Sequence, residues 1–338
     1  MRRAFAVSAL GLGLVAFSGA HDALQARQGT PAARATTAAT EAGSVTTGVA
    51  TNLRPVKGVP AKCPIPVNVQ PDVFPVTVGT VTSEDGRQWT VPAPVNDDGP
   101  VAVDLFNNCT GTGDNPDWAS QLKTVVIDPD GVEITGYIFA DNYFELWVNG
   151  HFIARDSIPM TPFNSSVVRF KARYPMTYAV MAVDWETHPG VGMEYAAYNL
   201  GDAGFIAYFS DGNGTNGDWR SETFYIAPLD DPRCVRITPA GRDSTFCSQG
   251  VRPTCALKPE ANLCKALHFP IPADWTSSRF NDSRWPVAIT WPADLVTNNI
   301  AYRNYTKFLG DAQFIWTRNL RFDDLVLARY TARGPRRR

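Results

Sequence analysis

The fold of this chain is decided by the stretch Phe144-Glu145-Leu146-Trp147-Val148-Asn149-Gly150-His151-Phe152-Ile153-Ala154. Two short runs rich in aromatic and aliphatic residues flank the pair Asn149-Gly150. Asn-Gly is typical of a two-residue hairpin turn, because both turn positions need a positive φ. We therefore predict a β-hairpin with strands over residues 144–148 and 151–155.

The same strand-and-turn pattern continues through most of the chain. Runs of Val, Ile, Phe, Tyr and Trp are interrupted roughly every 8 to 15 residues by Gly, Pro, Asn or Asp, as in β-sandwiches and barrels. Further strands are predicted at 73–81, 101–106, 124–127, 133–140, 166–172, 177–184, 204–209, 222–226, 313–316 and 326–330. Helical patterns are scarce, so the sequence predicts an all-β protein.

Two segments carry a resemblance to a known family. One is residues 139–150, FADNYFELWVNG, and the other is FNDSRWPVA at 280–288 followed by AQFIWT at 312–317. They resemble segments of the galactose-binding-like β-sandwich, the sugar-binding jelly roll that occurs beside glycosidase catalytic domains. Asn281 stands where that family usually has Asp. The resemblance implies a jelly-roll-type β-sandwich over residues 132–332, and either carbohydrate recognition or a spacer role.

The two ends of the chain have a different composition. Residues 1–26 combine Arg2 and Arg3 with an apolar run and small residues, which predicts a signal peptide. Residues 27–61 are rich in Ala and Thr and predict a disordered linker. Residues 62–131 predict an N-terminal β segment, either part of the sandwich or a small lobe, and 333–338 form a basic tail.

Charge and hydropathy limit the partners. The chain has 31 Lys and Arg against 33 Asp and Glu, so no strong field would attract nucleic acid. After the signal peptide no apolar run is long enough to cross a bilayer. We expect a secreted, extracellular protein, or a periplasmic one in a bacterium, with no transmembrane segment; the oligomeric state stays open.

Export makes the cysteines interpretable as a disulfide framework, because oxidising compartments preserve such bonds. We expect a bridge from Cys63 to Cys109 and two bridges inside the insertion 231–265, which holds Cys234, Cys247, Cys255 and Cys264. Asn-x-Ser/Thr acceptors for glycosylation occur at Asn108, Asn164, Asn213, Asn281 and Asn304.

Exposed tryptophans are the first candidates for sugar binding, because a flat aromatic ring can stack on the C–H face of a pyranose. Trp118, Trp185, Trp219 and Trp291 lie beside polar, loop-like residues and are the candidates. Ordinary packing is the alternative for each of them. Trp147, Trp285 and Trp316 lie within the fold-defining patterns, so we assign them to the core.

The loop 211–218 offers oxygen ligands from Asp211, Asn213 and Asp218, and calcium prefers such ligands. A structural calcium ion is the one cofactor that the sequence suggests. The alternative is a plain surface turn, because the loop departs from an EF-hand sequence.

Acidic residues cluster after the predicted strand 177–184. Asp184, Glu186 and His188 would share one face of a continuing strand, and Glu194 follows. Such carboxylates could bind a ligand or serve polysaccharide hydrolysis, although an antiparallel strand also acquires a polar outer face without any site. No nucleophile elbow, phosphate loop or zinc-protease helix motif occurs.

Three hypotheses follow for the function. The first is a secreted, non-catalytic carbohydrate-binding or surface-adhesion protein with a glycan or cell-surface polysaccharide as partner. The second is a structural or protein-interaction module without a small ligand. The third is a polysaccharide-active enzyme that uses Asp184, Glu186 and Glu194. The lack of a catalytic motif places the enzyme last.

Overall fold

The computed structural model describes residues 42–59, 76–109, 113–159, 164–194, 200–247, 253–257 and 263–336. The predicted signal peptide, about half of the predicted linker and Cys63 lie outside these residues. The described residues are dominated by β-strands, and their two α-helices, α1 (Trp118–Gln121) and α2 (Ile300–Arg303), are four residues long. The expected all-β class is confirmed.

One sheet has seven antiparallel strands. In spatial order they are β1 (Ser44–Thr47), β17 (Lys265–His268), β14 (Arg220–Leu229), β20 (Asp323–Ala332), β12 (Met176–Val183), β9 (Tyr143–Val148) and β10 (His151–Arg155).

A second sheet has eight strands. In spatial order they are β18 (Ile289–Trp291), β19 (Phe314–Trp316), β13 (Gly204–Phe209), β8 (Val132–Asp141), β11 (Asn164–Ala172), β5 (Val103–Asn107) and β6 (Gly113–Asp114), while β7 (Thr124–Val126) pairs in parallel with β11.

Two smaller sheets complete the described structure. The three-stranded one contains β2 (Thr51–Pro55), β3 (Thr77–Thr82) and β4 (Gln88–Val91), and the two-stranded one contains β15 (Arg236–Thr238) and β16 (Gly241–Asp243).

The main core lies between the two large sheets. Phe144 and Tyr178 of the seven-stranded sheet and Phe170 and Phe205 of the eight-stranded sheet belong to one buried cluster. The opposite face of the seven-stranded sheet is also covered, by a second cluster that includes side chains of the three-stranded sheet. Because this sheet is buried on both faces, β12 is buried at all eight positions and its sequence is apolar apart from Thr177 and the hydroxyl of Tyr178.

The predicted hairpin is confirmed. Strands β9 and β10 pair antiparallel, and the two turn residues have positive φ, 51° at Asn149 and 83° at Gly150. The Asn149 side chain also accepts a hydrogen bond from the backbone N–H of Thr177, at 2.8 Å. The turn is therefore fixed to β12 as well as to its own strands.

The prediction of a disordered linker over 27–61 is wrong for part of that range. Strand β1 pairs with β17, and Thr46 Oγ1 lies 2.8 Å from His268 Nε2 inside the protein. Strand β2 pairs with β3. The segment lacks a conventional apolar pattern, but backbone pairing at a sheet edge does not require one.

The sequence left open whether residues 62–131 belong to the sandwich or to a small lobe. Their described strands are divided between the two. Strands β3 and β4 belong to the small three-stranded sheet, whereas β5, β6 and β7 belong to the eight-stranded sheet. The N-terminal segment therefore supplies strands to the sandwich and also covers one of its faces.

The cysteine insertion contains two disulfides, Cys234–Cys247 and Cys255–Cys264, which confirms two bridges inside this segment. Cys109 is disulfide-bonded too, and Cys63, the partner expected for it, lies outside the described residues. The insertion ends where β17 enters the seven-stranded sheet between β1 and β14.

Candidate functional site

A groove lined by aromatic side chains lies beside helix α1. We call it the Trp118 groove; its cavity volume is about 300 Å³ and its lining includes Trp118, Tyr305 and Phe308. Trp118 and Phe308 are half-buried, and Tyr305 is 9% exposed. The groove thus combines apolar surface with access to solvent.

Packing fixes the orientation of these rings. Trp118 meets Tyr137 of β8 edge-on at a centroid distance of 6.1 Å and Phe308 at 6.2 Å. Tyr137 and Phe308 stack at 4.9 Å, and Tyr305 stacks with Phe308 at 6.4 Å. A ring held by its neighbours loses little conformational entropy when a ligand binds.

Polar groups border the same groove. They are Asp114, Asn115, Asn304 and Lys307. Asp114 accepts a hydrogen bond from the Tyr305 hydroxyl, and the Asn115 side chain donates to the backbone oxygen of Asp104 at 2.7 Å. Asn304 and Lys307 are exposed and offer donors to a ligand.

A larger cavity of about 470 Å³ borders the C-terminal end of α1. Gln121 and Leu122 border it, and so does Val103, two residues before the groove residue Leu105 on β5. Its lining is mostly apolar and contains two cationic side chains, Lys123 and Arg169, and no carboxylate.

Two of the four candidate tryptophans are not available to a surface ligand. Trp219 is fully buried and donates from Nε1 to the Gly214 oxygen at 3.0 Å, and Trp185 is 4% exposed and packs on Tyr143. Their assignment as rim residues is wrong, because the polar neighbours in sequence belong to tight turns around buried rings. The hypothesis of a structural or protein-interaction module predicts that these tryptophans are packed inside the protein.

Trp291 is less deeply buried than Trp185 and Trp219. It is half-buried on β18, and its Nε1 donates to the Thr317 oxygen at 3.0 Å. Among the residues assigned to the core, Trp285 and Trp316 are buried and Trp147 is half-buried.

The calcium ligands expected in loop 211–218 are engaged by donors of the protein. Asp211 accepts from the Tyr174 hydroxyl and, at 2.7 Å, from the Asn213 side chain, and Asp218 pairs with Arg336. The backbone N–H of Arg336 donates to the backbone carbonyl oxygen of Asp211 at 2.9 Å. The arrangement favours a turn that anchors the basic tail over a cation site.

The acids that follow β12 lie inside the protein and do not form a polar outer face. Asp184, Glu186 and Glu194 are 4%, 3% and 6% exposed, and they lie near Asp141 and Asp324, each 2% exposed. We call these five residues the acid cluster. Neighbouring Asp202 is exposed to solvent.

Glu186 is held by backbone donors. Its Oε2 accepts hydrogen bonds from the N–H groups of Gly190, at 2.8 Å, Val191, at 2.7 Å, and Gly192. Burial nevertheless raises the pKa of Glu186 to about 7, since the loss of hydration outweighs these bonds.

Burial also raises the pKa of Asp141, Asp184 and Asp324 well above the ordinary value, and the negative charge of their neighbours adds to the effect. None of the four cavities described for the structure is lined by these acids. The catalytic hypothesis needs an open cleft at Asp184, Glu186 and Glu194, and their burial counts against it.

Among the described residues, no three Asp, Glu, His or Cys side chains are arranged so that they could hold a metal ion by themselves. Any cation there would need backbone oxygens or water as well.

The five Asn-x-Ser/Thr acceptors differ in how deeply their asparagines are buried. Asn281 and Asn304 are exposed and Asn108 is half-buried, whereas Asn164 and Asn213 are 2% and 1% exposed. Asn164 donates from Nδ2 to Asp156, and Asn213 donates to the Gly334 oxygen. The expectation of surface sites at these two positions is wrong, because their amides are structural.

Sequence reasoning missed the groove partners of Trp118. Tyr305 and Phe308 come from the segment around α2, where no strand pattern drew attention to the aromatic residues. It also missed Asp141 and Asp324 as neighbours of Asp184, since they are far apart in sequence. Aromatic residues spaced at 302, 305 and 308 were the available signal for the groove.

Within the described residues, none of the helices is long and apolar enough to span a membrane. Comparison with known proteins adds no identification, because no protein family, curated protein or solved structure matches the chain.

Proposed function

We propose that this protein is a secreted, non-catalytic carbohydrate-binding protein, and that the Trp118 groove is its glycan site. The observation that carries the proposal is the set of three pre-oriented aromatic side chains bordered by amide, carboxylate and ammonium groups. Pyranose rings present an apolar C–H face and a rim of hydroxyl groups. The aromatic rings of the groove match the C–H face, and its polar groups match the hydroxyl groups.

The size of the groove supports a short segment of glycan. Its volume of about 300 Å³ lies at the lower end of the range usual for small-molecule sites. The larger cavity at the C-terminal end of α1 presents Lys123 and Arg169, of which Arg169 has Glu133 3.9 Å away, so a chain that continued past α1 would meet the positive charge of Lys123. Uronate-containing polysaccharides therefore belong in any binding screen beside neutral ones.

Secretion is part of the same proposal. Two disulfides brace the insertion, and the N-terminal residues have the composition of a signal peptide. Disulfides persist in oxidising compartments, where polysaccharides of cell surfaces are also found.

The test is a screen of neutral and uronate-containing polysaccharides against the mature chain, with isothermal titration of each ligand that binds. We expect Trp118→Ala to weaken binding by at least about tenfold, equivalent to ~1.4 kcal/mol, because the stacking surface is removed. Phe246→Ala is the matched control, since Phe246 is an aromatic residue 40% exposed outside the groove.

Near-ultraviolet circular dichroism of each variant would verify that the fold is intact. Loss of binding in Trp118→Ala but not in Phe246→Ala would support the proposal. An absence of binding to every polysaccharide, or equal binding by both variants, would overturn it in favour of a structural or protein-interaction role.

A further inference from the structure

Two carboxylates of the acid cluster face each other across neighbouring strands. Strands β12 and β20 pair with Ala182 opposite Val326, so the register places Asp184 opposite Asp324. The backbone N–H of Asp184 donates to the backbone carbonyl oxygen of Asp324 at 2.8 Å, which continues the pairing to this point. Directly opposed residues of an antiparallel pair have Cβ atoms about 4.5–5.5 Å apart.

Both side chains point into the space between the two large sheets. Ala182 and Val326 belong to the core between those sheets. Successive side chains alternate in direction along a strand, so residues two positions away share the same face. Asp184 and Asp324 therefore extend the inter-sheet core at one end of the sandwich.

Neither carboxylate has its hydrogen-bonding capacity satisfied. Asp184 Oδ1 and Asp324 Oδ2 are buried and have no hydrogen-bond partner among the described residues. The charges that act on both groups come from other carboxylates, among them Glu186 and Glu194. Two opposed like charges destabilise a strand pair, and burying an acceptor without a donor costs about 1–3 kcal/mol more.

The backbone of Gly201 packs closely against the Asp184 carboxylate. A Cβ atom at Gly201 would lie 1.8 Å from Asp184 Oδ2, so only glycine allows the carboxylate its position. Asp141 belongs to β8 of the opposite sheet, and it lies close enough to Asp184 and to exposed Asp202 for their negative charges to raise its pKa. Carboxylates from both sheets therefore lie close together at this end of the sandwich.

We infer that the Asp184–Asp324 pair binds a hard divalent cation, calcium, between the two sheets. A cation supplies positive charge, whereas the charges of described side chains that act on the pair are those of carboxylates. Calcium accepts a mixed set of carboxylate, carbonyl and water oxygens, so a site with two opposed carboxylates does not need a third in place. The donor set contains no sulfur or imidazole and is unsuited to zinc.

The experiment is thermal unfolding of the mature protein at pH 7.5 with 1 mM EGTA, and then with excess calcium, magnesium or manganese chloride. We expect calcium to raise Tm by about 5 °C or more, and EGTA to reverse the shift. Isothermal titration of the EGTA-treated protein should give about one calcium per chain. None of these readouts depends on the Trp118 groove or on glycan binding.

The double variant Asp184→Asn/Asp324→Asn keeps the shape of both side chains and removes the repulsion. We expect it to unfold at a higher temperature than the wild type in EGTA and to show no response to calcium. Asp211→Asn is the matched control, because it alters the other calcium candidate of the sequence and should leave the response unchanged.

Two results would overturn the inference. One is a Tm that does not change with any of the three cations. The other is a calcium response that survives in Asp184→Asn/Asp324→Asn or disappears in Asp211→Asn, which would place the ion elsewhere.

Discussion

The guanidinium of Arg329 on β20 donates from Nε to Oδ2 of Asp282 at 2.9 Å. Arg329 is 2% exposed, and it also donates to the backbone oxygens of Trp275 and Ser277. One buried side chain therefore fastens the long connection after β17 to a central strand of the seven-stranded sheet.

Replacing Arg329 should be strongly destabilising. We expect Arg329→Met to lower the free energy of unfolding by about 3–5 kcal/mol, because two carbonyl oxygens and a carboxylate lose their donor together. Asp282→Asn keeps an acceptor at a partly exposed position and should cost less than about 1.5 kcal/mol. Urea unfolding of both variants measures the difference, and equal losses would contradict this account of the contact.

The imidazole of His268 should make stability depend on pH. It is stacked between Trp89 and Tyr225, and burial lowers its pKa to about 3. The unfolded value is about 6.5, so below that pH the unfolded chain takes up a proton that the folded chain refuses. The contribution of His268 is complete above pH 6.5 and declines by about 1.4 kcal/mol per pH unit below it.

The measurement is the free energy of unfolding of the wild type and His268→Phe between pH 4.5 and 7.5. Phenylalanine keeps the aromatic stack and cannot titrate. We expect the wild type to lose about 2–3 kcal/mol more than the variant over this range. Two parallel curves would show that His268 is not the group responsible.

The turn that binds Glu186 should tolerate no side chain at Gly192. Gly192 has a φ of +60°, and a Cβ there would lie 2.4 Å from the backbone carbon of Ala227. Gly86 has a φ of +83° with open space around it. Both alanine variants incur about 1–2 kcal/mol for the left-handed conformation, and Gly192→Ala adds about 1–3 kcal/mol for the clash.

Chemical denaturation of the two glycine variants provides the comparison. A difference of less than about 1 kcal/mol would mean that the backbone around Ala227 yields easily.

The two disulfides of the insertion should differ in their effect on stability. They close loops of similar length, with sequence separations of 13 and 9 residues, so their effects on chain entropy are alike, about 2–4 kcal/mol each. Cys255 and Cys264 are buried with Val191 and Met193, whereas Cys234 and Cys247 are half-buried. Removal of the buried pair should also leave a cavity.

We therefore expect Cys255→Ala/Cys264→Ala to unfold at a lower temperature than Cys234→Ala/Cys247→Ala, as measured by calorimetry. Equal unfolding temperatures would indicate that loop closure alone accounts for both bridges.

Sequence patterns located most of the sandwich strands to within a few residues. Strands β10 and β13 begin and end where they were predicted, because turn residues bound them closely. Strands β1, β2 and β4 were missed: they are short and polar, and they are stabilised by the sheet edge they join. Pairing between distant segments leaves no periodic signal in either segment alone.

Candidate residues were less predictable than strands. Trp118 is partly accessible to solvent, whereas Trp185 and Trp219 have similar polar neighbours in sequence and are buried. Exposure is set by what packs over a side chain, and for these residues that material comes from other parts of the chain.

By itself, the sequence determined the all-β class, the Asn149-Gly150 hairpin and two bridges within the cysteine insertion, because these depend on local conformational preference and short separations. The tertiary structure alone decided that Asp184 faces Asp324 and that Trp118 meets Phe308, residues 140 or more positions apart. The physical reason is that strand register and the covering of each sheet arise from the packing of the whole chain, which no short segment encodes.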